Sequence, residues 1–96
     1  SAAPVAKGSP SGSKDGLIEN EMAILYPLVV KAALTISLLD CGECGHKLED
    51  DFLEATAMMS SIMLTYACMD GIKLMRNMTK IKSLLDGILN NKCQNC

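Results

Sequence analysis

A small all-α domain of three to four helices, stapled by disulfides and dimeric, is the fold this sequence predicts. Three observations lead to it. Apolar residues recur at three- and four-residue spacing through the second half of the chain, and no stretch alternates with the period of two that a strand requires. Five cysteines lie in 96 residues, as Cys41-x2-Cys44, Cys68 and Cys93-x2-Cys96. The segment from Met22 to Leu39 is apolar on nearly every side, which is more surface than one chain of this size can bury.

The elements follow in order. Residues 1–16 hold three Gly, two Pro and four Ser without periodicity, and are expected to form a flexible leader. Residues 17–96 then form the single folded domain. The first helix is expected over Leu17 to Leu39, with Glu19 and Glu21 in its first turns, where carboxylates suit the helix dipole. Pro27 lacks a backbone donor, so the helix kinks there or begins near it. Only Pro27, Lys31, Thr35 and Ser37 interrupt the apolar run. A membrane span is not expected, because Lys31 would sit mid-bilayer at a cost of about 2.5 kcal/mol or more. Burial on all sides instead implies a partner subunit.

Asp40 to His46 reads as a turn, its two glycines ending the first helix. The second helix is expected over Lys47 to Met69. Leu48, Phe52, Ala55, Met59, Ile62, Met63 and Tyr66 form its apolar stripe, and Glu49, Asp50, Asp51 and Glu54 crowd its start. Asp70-Gly71 marks a break. The last helix, Ile72 to Asn90, sets Leu74, Met78, Ile81, Leu85 and Ile88 on one face and Lys73, Arg76 and Lys80 on the other. Those cations are candidates to pair with the acidic start of the second helix, although exposed pairs add little.

Composition bounds the function. The net charge of −2 argues against a nucleic-acid partner. The opening Ser-Ala-Ala-Pro is what a processed mature protein would carry, and Asn77-Met78-Thr79 is an N-glycosylation sequon with Asn77 as acceptor. With the cysteine density these features predict a secreted, extracellular glycoprotein.

The cysteines admit two chemistries. Cys41, Cys44, Cys93 and Cys96, with His46 in reserve, are enough ligands for tetrahedral zinc, which would make the chain an intracellular interaction module. As structural disulfides, the first CxxC pair bridged to the second would tie the start of the second helix to the end of the third. One such bond, closing roughly 49 residues, would contribute about 4 kcal/mol. The connectivity is open. Disulfides are the primary expectation, with no metal or other cofactor. A thioredoxin-like role lacks its βαβ context. Five is odd, so Cys68 is either a buried small apolar residue or an interchain bridge.

No enzyme is expected. His46 is the only histidine, and no nucleophile, base and oxyanion donor converge. Seven methionines in a chain without Trp give a soft apolar interior. Met58, Met59, Ile62, Met63, Tyr66, Met75 and Met78 are the candidate lining for a small hydrophobic ligand, with ordinary core packing as the alternative role.

A family resemblance adds to this. Tyr26-Pro27-Leu28-Val29-Val30 is similar to the Cys-Pro-apolar opening of the first helix in the secretoglobins, the family of uteroglobin and the cat-allergen chains. Cys68 follows Tyr26 by 42 residues and Cys93 follows Cys68 by 25, close to the family's spacing. Ser83-Leu84-Leu85-Asp86-Gly87-Ile88-Leu89 before Cys93 is much like its last helix. Tyr26 replaces the first cysteine, Cys41, Cys44 and Cys96 are additional, and Thr65-Tyr66-Ala67 stands where a lysine-rich approach is usual. The resemblance spans residues 26 to 93. It implies a secreted, disulfide-linked helical dimer around an apolar cavity, with Cys68 and Cys93 as interchain bridges.

The expected function is therefore binding: a homo- or heterodimer enclosing a lipid, steroid or odorant-like molecule. The alternatives are the zinc module and a secreted effector acting on a protein target.

Overall fold

The structure, a computed structural model, describes residues 10–91. It is all-α: three helices, no strand among the described residues, and one short 3-10 turn. Helix α1 spans Pro10–Ser37, α2 spans Gly42–Thr65, the 3-10 turn spans Tyr66–Cys68, and α3 spans Gly71–Leu89.

Helix α1 begins at Pro10, well before the expected start at Leu17. Proline's fixed φ and missing donor suit a helix start, and two long-range bonds hold the added turns. Lys14 Nζ donates to the Ala67 carbonyl at 3.2 Å, and Asp15 accepts from Tyr66. Pro10 to Gly16 are thus helical. Pro27 lies inside the helix, which continues on both sides of it.

The expected turn over Asp40 to His46 is shorter. Helix α2 starts at Gly42, so Gly42 to His46 are helical, and neither Gly42 nor Gly45 has a positive φ. Cys41 is the N-cap: its extended backbone lets Sγ accept from the Cys44 N–H at 3.4 Å. Glu43 adds a carboxylate to the first turn. Asp70 caps α3 in the same manner, its Oδ1 accepting from the Lys73 N–H at 2.8 Å.

Helix α3 is the centre of the packing. Leu74, Met78, Ile81, Leu85 and Ile88, the stripe read from periodicity, are all buried. They meet Met22, Leu25 and Ala32 of α1 and Leu48, Ala55, Met59 and Ile62 of α2 in one apolar cluster. Each fully buried Leu, Ile or Met is worth about 1.5–3 kcal/mol of removed apolar surface. No polar or charged residue is buried among the described residues. Two ion pairs tie α3 to its neighbours: Lys80 Nζ to Glu54 Oε2 at 3.1 Å on α2, and Lys82 Nζ to Glu21 Oε1 at 2.9 Å on α1. Helices α1 and α2 are antiparallel, with Asp15 beside Tyr66 and Ala33 beside Leu53. Helices α2 and α3, joined by the short 3-10 segment, are antiparallel as well.

Candidate functional site

The candidate ligand residues divide between two environments. Met59, Ile62 and Met78 are buried in the core among α1, α2 and α3. Met58 and Tyr66 are half-buried at its edge. Met63 and Met75 are exposed and lie on different helices. Met75 borders an open groove of about 1340 Å³ beside the start of α3, together with Leu17, Ile72 and Arg76. The seven do not line one common cavity.

What the chain does present is an apolar face on the outer side of α1 and α2. On α1, Tyr26, Val30, Leu34 and Leu38 recur every four residues and are exposed, Leu38 by 80%. They lie on the side of the helix away from the buried Met22, Leu25 and Ala32. On α2, Leu53, Ala57 and Leu64 are exposed along the corresponding face. The Tyr26 hydroxyl donates to Met63 Sδ at 3.4 Å and closes the seam between the two helices. Residues 55–69 carry no charge, and from Met22 to Leu39 the only charge is Lys31. At one end of the face a groove of about 550 Å³ runs between Ala33, Ile36 and Ser37 on α1 and Glu49, Asp50, Phe52 and Leu53 on α2. Sequence reasoning gave α1 too much apolar surface to bury alone. The exposed residues of α2 were hidden in a periodicity dominated by the buried ones.

The cysteines are placed as follows. Cys41 and Cys44 sit at the first turn of α2, and neither is a free thiol. Cys93 and Cys96 lie outside the described residues. Cys68 is free and exposed on the 3-10 turn, so its expected role as a buried apolar residue is set aside. Among the described residues no three His, Cys, Asp or Glu side chains converge as metal ligands. His46 is solvated, its Nδ1 3.6 Å from Glu49 Oε1. Asn77 is half-buried in α3, and its Nδ2, the atom a glycan would join, donates to Met69 Sδ at 3.6 Å.

Of the expected acid–base contacts, Glu54–Lys80 forms. The Glu21–Lys82 pair is more enclosed, with the Glu21 side chain 15% exposed, and had no sequence signal. Glu and Lys 61 residues apart are common by chance. Among the described residues no helix is long and apolar enough to cross a membrane. No family model, curated protein or solved structure matches the chain.

Proposed function

We propose that the chain is a secreted, disulfide-stapled helical binding protein that holds a small hydrophobic ligand, such as a lipid, steroid or odorant-like molecule, against its α1–α2 side. A second subunit closes the cavity. The observation that carries this reading is the exposed apolar face of Tyr26, Val30, Leu34 and Leu38 on α1 and Leu53, Ala57 and Leu64 on α2, with Glu49 and Asp50 at its groove end. Isolated exposed apolar residues are ordinary, but a contiguous patch marks a contact surface. Buried residues of α1, α2 and α3 pack against one another in a single core cluster, which supports placing the ligand on this outer side. Met63 at the seam adds an unbranched side chain that adapts to varied shapes.

The staple has its own support. Because α2 and α3 are antiparallel, the chain leaving α3 at Asn91 emerges at the end of the bundle where Cys41 and Cys44 cap α2. Cys93 and Cys96 follow within a few residues, and bridges from the second CxxC pair to the first would clamp that end. A disulfide framework belongs to an oxidising compartment and compensates for a core this small. The secretoglobin resemblance also implies a secreted dimer around an apolar cavity, but with Cys68 and Cys93 as interchain bridges in place of this staple.

The test is intact mass before and after reduction, joined to titration with a fluorescent fatty acid. Two disulfides per chain, lost on reduction, together with saturable probe binding support the proposal. Five alkylatable thiols with a bound zinc ion, or no probe binding by the oxidised protein, would refute it.

A further inference from the structure

We infer that the second subunit on the α1–α2 face is another copy of this chain, docked with α1 of each copy against α2 of the other. The inference names the partner left open in the binding reading above and rests on that reading for the existence of a second subunit. Area comes first. A fully exposed Tyr presents roughly 150–250 Å², and a Val or Leu about 60–120 Å² of apolar surface. At the exposures found for Tyr26, Val30, Leu34 and Leu38 on α1, and for Leu53 and Leu64 on α2, the face offers on the order of 300–500 Å² of apolar side chain. A standard interface buries about 800 Å² per partner, of which roughly 56–65% is apolar.

Charge selects the copy. The charges on the face are Lys31 on α1 and the Glu49 and Asp50 that line its groove on α2, so the face carries both signs itself. The signs lie on opposite helices: Lys31 is on α1, and Glu49 and Asp50 are on α2, whereas Glu54 is already paired with Lys80 of α3. Lys31, Glu49 and Asp50 are all exposed. Helices α1 and α2 are antiparallel, with Tyr26 bonded to Met63 and with Ala33 and Leu53 lining one groove, which places Lys31 within about two turns of the level of Asp50. A two-fold axis running along the helices lays α1 on the other copy's α2. Lys31 of each copy then comes to the acidic edge of the other, twice over. A two-fold axis across the helices would instead lay α1 on the other copy's α1, away from the acidic residues of its α2. Self-complementarity of this kind is what an isologous dimer requires. The chain's negative net charge gives no attraction to an anionic lipid surface.

The experiment uses the full oxidised chain carrying Cys68→Ala, which removes the free thiol as a source of covalent dimers. Sedimentation equilibrium should give twice the chain mass. Leu34→Glu should give the monomer mass with unchanged helicity, since Leu34 is 58% exposed and outside the core. Lys31→Glu should weaken the dimer by about tenfold, while Lys31→Arg keeps it. A parent protein that stays monomeric at micromolar concentrations overturns the inference, as does a Leu34→Glu protein that still dimerises. A monomer that cosediments with phosphatidylcholine vesicles also overturns it, because the face then serves lipid. Fatty-acid titration of the same samples separates the two conclusions. A monomer that binds the probe refutes the self-docking and the closing subunit but not ligand binding, whereas a dimer that binds none refutes ligand binding alone.

Discussion

Tyr66 donates a 2.7 Å hydrogen bond to Asp15 Oδ1, joining the 3-10 turn to the first turns of α1 across 51 residues of chain. This bond holds the phenol's proton. It raises the Tyr66 pKa above its ordinary 10.0, chiefly through the hydrogen bond, then through the Asp15 charge and slight desolvation. The protonated phenol is the form favoured in the folded protein. Its contribution is therefore complete below the unfolded pKa near 10 and is lost as pH rises through the higher folded value. Thermal melts from neutral to strongly alkaline pH should show a steeper fall in Tm for the wild type than for Tyr66→Phe. Equal slopes would mean that the bond is absent in solution.

The Glu21–Lys82 pair makes a second expectation. Glu21 Oε1 is enclosed and makes no hydrogen bond of good geometry, although the Lys82 ammonium lies 2.9 Å away. The carboxylate is desolvated more than it is bonded. Lys82→Ala leaves it without a counter-charge and should cost about 1–2 kcal/mol in chemical denaturation, discounted for the partly exposed lysine. Glu21→Gln with Lys82→Met should recover most of that loss. A double variant as unstable as Lys82→Ala would place the cost in packing instead.

Met59 and Met63 are four residues apart and were read as one stripe. The structure separates them: Met59 is 5% exposed in the core and Met63 is 50% exposed on the outer face. Met59→Asp should abolish cooperative folding, because an unpaired charge enters an apolar cluster. Met63→Asp should fold with a nearly unchanged Tm and weaken binding at the α1–α2 face. Circular-dichroism melts of both variants check this, and loss of structure in Met63→Asp would put that residue inside.

Asp70 accepts from the Lys73 N–H and starts α3, the helix that carries the centre of the core. Asp70→Ala should cost about 1 kcal/mol, whereas Asp70→Asn, which keeps an acceptor oxygen, should cost little. Urea unfolding of the two variants distinguishes the cap from a general effect of charge.

Much of the architecture was legible in the residues. The stripe from Leu74 to Ile88 is strictly amphipathic, with charges on its far side, so periodicity alone located both its helix and its buried face. Two boundaries were not legible. Gly42 and Gly45 look like helix breakers, yet glycine only permits special backbone angles and does not impose them. With Cys41 as cap and Glu43 in the first turn, the helix runs through both. Pro10 to Gly16 have a linker's composition, and their order comes from contacts at Lys14 and Asp15 with residues more than fifty positions away.

The sequence by itself determined an all-α chain of three to four helices, the stripe of α3 and an excess of apolar surface in α1. It did not determine which side of α1 would be buried. An evenly apolar helix has almost no preferred side, so local pattern contains no instruction for its orientation. Only packing against α3 and α2 decides that Leu25 and Ala32 turn inward while Val30 and Leu34 face out. That choice creates the face on which the proposed binding depends, because a single small chain has too little interior to cover both sides of such a helix.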